Sequence, residues 1–299
     1  MSQLRKRRNG ELYYPRRITD DLTDVDMFMK AQKLRQHTVL KGPPGTGKSA
    51  GSEAAFDSVG EFEDWTPERR AEQTMYMVSG TSSTDISDFV GSYVQDLETN
   101  KYVWHHGPLV LSVIHNAPLL VDEIALIDPK VLSVLYPLMD GRGVLEVTQN
   151  PSLPPFHLSD EPGWFVIGTY NPDVIGAYMS EALLDRFSHN IEVETDWDLA
   201  RQLGVPDNLV TIAENLNISR RKGEIRYSPQ MRALLDFRTM QTEFGLQYSL
   251  KNLVSKMPED DRPELIRALK SDSVFRKYDI STLMLQGSLS KHGASGDFD

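Results

Sequence analysis

Cysteine is absent from the 299 residues. That excludes a disulfide framework, a thiolate metal site and a cysteine nucleophile. No apolar run approaches the roughly 20 residues that a membrane-spanning helix requires. The basic residues near the start have no apolar stretch behind them, so they do not read as a secretory signal; a cytoplasmic protein is the expectation. Positive charge is also in short supply. Lys and Arg number 32 against 43 Asp and Glu, a net charge of −11. A surface built throughout to neutralise a nucleic-acid backbone needs the opposite balance. The exception is the first 17 residues, where Arg5, Lys6, Arg7, Arg8, Arg16 and Arg17 face only Glu11. That segment reads as a solvated, partly disordered leader.

What remains is ordinary for a water-exposed globular chain: 39% apolar and 25% charged residues. At this length one large domain or two smaller ones is expected. After the leader, Asp21 to Gln36 has the apolar spacing of a helix, so 1–36 is expected to be leader plus helix. From 37 to 195 short apolar strands alternate with helical patterns. The strands are Thr38 to Leu40, Met75 to Val78, Pro118 to Val121, Trp164 to Ile167 and Ile191 to Val193. Such alternation predicts an α/β fold, a parallel sheet sandwiched by helices. Hairpins are expected at 93–104 and 144–158, and a helix over Pro129 to Met139. From 196 to 285 strand signals stop and helical patterns take over, which predicts a small all-α lid domain. The Gly/Ser-rich end, 286–299, reads as a disordered tail.

Three strand ends carry candidate chemistry. The first is Gly42-Pro43-Pro44-Gly45-Thr46-Gly47-Lys48-Ser49, which matches the phosphate-binding pattern G-x-x-x-x-G-K-[ST] between a strand and a helix. Its glycines let backbone N–H groups turn toward phosphates, and the following helix adds its positive end. Lys48 is expected on the terminal phosphates of ATP and the Ser49 hydroxyl on Mg²⁺. The second is Pro118-Leu119-Leu120-Val121-Asp122-Glu123, a buried strand that delivers two carboxylates. Asp122 is expected in the Mg²⁺ shell and Glu123 beside the attacking water. The third strand ends in Gly168-Thr169-Tyr170-Asn171-Pro172, where Asn171 either orients that water or forms an Asn-Pro turn. Gly51, inside the helix after the loop, costs about 1 kcal/mol relative to Ala; a close helix–sheet contact is the reason suggested for it.

These motifs, with Glu181-Ala182-Leu183-Leu184-Asp185-Arg186-Phe187, resemble the MoxR-type AAA+ ATPases, including the CbbQ and NorQ branch. The resemblance covers about residues 10–240. It implies ATP hydrolysis in a hexameric ring with ATP at subunit interfaces. It also implies that the hairpins at 93–104 and 144–158 are that family's inserts. Asn171 then matches sensor 1, Arg186 the arginine finger and Arg232, in Ser228-Pro229-Gln230-Met231-Arg232, sensor 2. Family members commonly remodel or activate a protein partner, often one with a von Willebrand factor A domain. Read from the residues alone, Arg186 could instead pair with its neighbour Asp185, and Arg232 could lie on a plain charged helix face. Arg142, between two glycines, reads as a turn residue before it reads as an interface group. His105 and His106 are adjacent, so in a strand they face opposite ways and cannot chelate one metal. No metal beyond Mg²⁺ is expected. Tyr102 and Trp104 share a hairpin face, with packing as their expected role. The rival readings are a nucleic-acid-directed motor, a small-molecule kinase and a nucleotide-binding assembly module without turnover.

Overall fold

The structure, a computed structural model, describes residues 4–7, 9–56 and 75–284. The expected tail lies outside them, as does Arg8. The chain divides into two compact units, 1–194 and 195–299. The leader belongs to the first unit rather than standing apart.

The leader is the main departure from expectation. It forms two small antiparallel ribbons, β1 (Arg5–Lys6) with β2 (Leu12–Tyr13) and β3 (Arg17–Thr19) with β4 (Leu22–Thr23). Helix α1 (Asp24–Leu34) follows, capped by the Thr23 side chain on the Asp26 N–H. The basic charge is absorbed locally. Arg7 pairs with Glu11 and Glu53, and Arg16 with Asp24. Tyr13 is buried and donates to Asp24. Counting charges over 17 residues could not show that carboxylates from α1 and from the later helix α2 (Lys48–Phe56) would pair with two of these arginines.

A five-stranded parallel sheet forms the core of the first unit. Its strands are β5 (Thr38–Lys41), β6 (Tyr76–Ser79), β9 (Leu119–Asp122), β12 (Val166–Tyr170) and β13 (His189–Glu192), in the spatial order β13-β5-β12-β9-β6. Alternate residues go to opposite faces. Val39, Leu119, Val121 and Val166 enter one buried cluster, with Phe89, Leu109 and Leu135. Leu40, Leu120 and Ile167 enter the other, against Phe28 and Met27 of α1. The central strands β5, β12 and β9 are buried on both faces, which is why they read as unbroken apolar runs.

Two hairpins interrupt the alternation: β7 (Gly91–Gln95) with β8 (Tyr102–His106), and β10 (Val144–Leu145) with β11 (Phe156–His157). On the first, Trp104 meets Tyr93 edge-on at 5.2 Å between centroids and donates to His106 Nδ1 at 3.1 Å, while Tyr102 is exposed. The stretch 129–139 is not one helix. It runs as Pro129–Leu132, a 3₁₀ turn Ser133–Leu135, and Tyr136–Met139. Pro137 has no N–H to give the Ser133 carbonyl, so the α-helical ladder cannot pass through it.

The second unit is helical: Trp197–Gln202, Asp207–Arg221, Met231–Phe244, Leu246–Ser255 and Arg262–Ser271. Leu209, Leu234, Phe237, Leu250 and Leu265 form its core. No described helix is long and apolar enough to cross a membrane.

Candidate nucleotide site

Strands β5, β12 and β9 are neighbours, so the segments that leave their C-terminal ends meet along one edge. In open parallel sheets that edge is where ligands bind. The loop 42–47 leaves β5, Asp122 ends β9 and Asn171 follows β12.

The loop is shaped by glycine. Gly42, Gly45 and Gly47 have φ of 155°, 81° and 83°, and a Cβ on Gly42 would lie 2.1 Å from the Val193 carbonyl oxygen. No other residue fits at 42 without moving the backbone. Buried Thr46 donates to the Pro43 carbonyl at 3.0 Å and fixes the turn. Lys48 opens α2 and is itself buried; its Nζ donates to the Gly42 and Pro43 carbonyls at 2.9 and 3.0 Å. An ammonium held beside a glycine-shaped loop at a helix start is an anion cradle by its chemistry.

Ser49 Oγ donates to Asp122 Oδ1 at 2.7 Å. These are two hard oxygen donors side by side, the set that suits Mg²⁺. Thr169 was not singled out from the sequence. Its hydroxyl donates to the same Asp122 oxygen and accepts the Glu123 N–H at 3.2 Å. One threonine thus couples the ends of β12 and β9. The hint available beforehand was its place on β12, two residues before Asn171.

Glu123 has a left-handed backbone, φ 51° and ψ 41°. That conformation is uncommon for a residue with a side chain and is found where function holds it. Its half-buried carboxylate has no partner among the described residues. Asn171 is buried, and its Oδ1 accepts the Asp173 N–H at 3.1 Å. The turn reading and the strand-end reading are therefore both present, and the turn leaves the amide NH₂ group for another acceptor.

Arg186 does not pair with Asp185. Its Nη1 donates to Ala182 O at 2.6 Å, its guanidinium lies 4.0 Å from the Tyr136 ring centre, and Nη2 is 3.8 Å from Asp140. Arg142 grips the same Asp140 through Nε at 3.0 Å and Nη2 at 2.8 Å. That bond, first of all, holds the Asp140 carboxyl below the usual range. Arg232 is exposed in the first turn of Met231–Phe244, in the second unit. Its predecessor Gln230 is buried, bonded to Thr195, Asn217 and Ser228. Among the described residues no group of three or more His, Asp or Glu is placed to hold a metal by itself.

Comparison with known proteins bears on the whole arrangement. A family model described as an AAA domain of the dynein-related subfamily matches residues 37–187. An uncharacterized protein of Staphylococcus saprophyticus is 24% identical over 264 residues, covering 81% of this chain and 92% of that one. Protein NorQ of Paracoccus denitrificans is 26% identical over 149 residues, 50% of this chain and 48% of NorQ. Protein CbbQ of Hydrogenophilus thermoluteolus is 25% identical over 149 residues, 50% of this chain and 49% of CbbQ. The matches to NorQ and CbbQ thus span about half of those proteins.

Proposed function

The chain belongs to the dynein-related AAA family and is an AAA+ ATPase of the MoxR type, and from that premise we propose that it works as a ring, taking one arginine per site from a neighbouring subunit, to remodel a protein partner. The observation that carries the ATP chemistry is the contact of Ser49 with Asp122, bridged by Thr169 to Glu123. It joins the phosphate loop to the carboxylate pair.

In this reading the N–H groups of the loop and the Lys48 ammonium bind the β- and γ-phosphates. Ser49 and Asp122 hold Mg²⁺, which neutralises phosphate charge when bound. Asn171 offers its amide NH₂ group to the lytic water or the γ-phosphate. Glu123, whose carboxylate no neighbour engages, accepts the proton as the water oxygen bonds to phosphorus and the bond to the β,γ-bridging oxygen breaks. Arg186 completes the adjacent subunit's site, where a cation offsets charge on the transferring group. Arg232 is assigned the sensor 2 role on ATP phosphates, in its own subunit or a neighbouring one. The partner class, a protein with a von Willebrand factor A domain, rests on the kinship with NorQ and CbbQ alone.

Lys48→Ala is expected to abolish ATP binding, because Lys48 meets the ground-state phosphates. Glu123→Gln is expected to bind ATP normally and lose turnover by about 10²–10⁴-fold. Equilibrium binding of ATP and steady-state phosphate release separate the two. A Glu123→Gln protein that turns over normally removes Glu123 as the base.

A further inference from the structure

The leader supplies a residue that no motif marks. Arg16 lies between β2 and β3 with its side chain only 19% exposed. Its Nη1 donates to the Thr46 carbonyl at 2.9 Å and to the Glu194 carbonyl at 3.3 Å, and its Nη2 to the Gly47 carbonyl at 3.3 Å. On its other side Nε reaches Tyr13 Oη at 3.3 Å and Asp24 Oδ2 at 3.4 Å. The Arg16 N–H is bonded to Asp24 Oδ1 at 3.0 Å. The guanidinium is therefore fixed from behind by a carboxylate and a phenol, and spends its forward donors on the phosphate loop.

The two loop carbonyls have a special place. The Thr46 carbonyl shares a peptide group with the Gly47 N–H, and the Gly47 carbonyl shares one with the Lys48 N–H. A trans peptide is planar, so its C=O and N–H point in opposite directions. A cation bonded to those carbonyls from outside the loop turns both N–H groups inward. It also polarises them, since hydrogen bonds in a chain strengthen one another. Charge-assisted bonds of this kind are about twice as strong as neutral ones.

We propose that Arg16 is a positioning residue for nucleotide: from outside the phosphate loop it orients and polarises the Gly47 and Lys48 peptide groups that face the phosphates. This rests on the nucleotide reading of the loop. Arg16 touches no substrate atom; it acts through the loop. It also joins the loop to Glu194, the last residue of the first unit, so the loop is held at both flanks: by Arg16 here, and by the tight fit of Gly42 on Val193.

The test uses the full chain, with calorimetric titration of MgADP and competition by inorganic pyrophosphate. Arg16→Met keeps the apolar stem and removes the fork. It should weaken ADP roughly tenfold, about 1.4 kcal/mol. It should weaken pyrophosphate by the same factor, because the lost interaction concerns the phosphates and not the base. Arg16→Lys keeps the charge but replaces the planar fork with a single nitrogen, and should fall between. If Arg16→Met does not fold, Arg16→Lys carries the test alone, with a three- to fivefold loss expected. Thr23→Ala removes the cap of α1 and leaves every group around Arg16 in place. It should lower Tm yet leave ADP affinity within twofold of the wild type. Arg16 variants that bind ADP and pyrophosphate as the wild type does overturn the proposal. So does a Thr23→Ala protein that loses as much affinity as Arg16→Met, because the effect is then general destabilisation. Wild-type protein that binds ADP no better than Lys48→Ala overturns the nucleotide reading itself, an outcome distinct from either.

Discussion

Two arginines of the first unit show opposite economies. Arg16 sits in a segment with no recognisable motif, yet its guanidinium is met by three backbone carbonyls, a phenol and a carboxylate. Arg186 sits in a recognisable motif, yet is poorly satisfied by its own chain. It has one good bond to Ala182, a ring face and a distant carboxylate that Arg142 already holds, and its Nε is buried with no partner among the described residues. An orphaned buried donor costs about 1–3 kcal/mol. An arginine whose bonds are complete is structural to its own site. One left short is suited to a partner that its own subunit does not provide.

The largest expected effect tests the second half of that contrast. Arg186→Ala should leave Tm nearly unchanged and cut ATP turnover by roughly 10³–10⁵-fold, the range for an arginine finger in P-loop enzymes. The stronger design mixes two dead proteins, Arg186→Ala and Glu123→Gln. In a mixed ring an Arg186→Ala subunit keeps its own Glu123 and borrows Arg186 from a Glu123→Gln neighbour, so some sites regain turnover. Differential tags establish that the two co-assemble. Co-assembly without any return of ATPase means that Arg186 does not act in trans, and its contacts with Tyr136 and Asp140 become its whole role.

The contrast also separates what a sequence displays from what it hides. Strands β5, β9 and β12 were legible because both their faces are buried, which leaves unbroken apolar runs. Lys48 was legible from the spacing of the phosphate-loop pattern, and Asp122 and Asn171 because they stand at the ends of such runs. Thr169 and Arg16 were not. Thr169 matters through bonds to Asp122 and to the Glu123 N–H, 47 and 46 residues away. Arg16 matters through bonds to residues 30, 31 and 178 positions away. Spacing cannot announce contacts of that separation. In a list of six basic residues, Arg16 looks like the five others. Gly51 was visible as an anomaly, but the suggested cause pointed at the sheet. The nearest atoms to its missing Cβ belong to Tyr13, Asp24 and Phe28, the leader and α1.

A second prediction concerns the Arg186 side and acid. His37 precedes β5 and is buried. Its Nδ1 accepts the Val166 N–H at 3.0 Å, and its ring also bonds the backbone of Met139, the residue before Asp140. Burial lowers its pKa to about 4, against a smaller opposing push from the Met139 bond. The folded value is below the unfolded one, near 6.5. The unfolded state therefore binds the proton first, and stability is lost as pH falls from about 6.5 toward 4. The full difference is worth roughly 3 kcal/mol. Thermal melts across that window should steepen on the acid side. His37→Asn keeps an acceptor for Val166 and cannot be charged, so it should flatten the acid limb. Parallel curves for the two proteins remove His37 as the cause.

The smallest expected effect lies on the Arg16 side. Ala in place of Gly inside a helix normally adds about 1 kcal/mol of stability. At position 51 the new methyl would lie 2.9 Å from Tyr13 Oη, and 3.4 Å from both Asp24 Oδ2 and Phe28 Cε2. Overpacking of that kind costs about 1–3 kcal/mol. Tyr13 is the far end of a side chain, but it is buried and bonded to Asp24 and Arg16, so it cannot swing clear cheaply. Gly51→Ala should therefore give no rise in Tm and a net loss of up to about 2 kcal/mol in stability. Tyr13→Phe removes the oxygen that makes the closest contact. In that background Gly51→Ala should recover its helix benefit and become stabilising, a coupling that a double-mutant cycle reads directly. If Gly51→Ala stabilises the wild type by the full helix increment, Tyr13 does not press on α2.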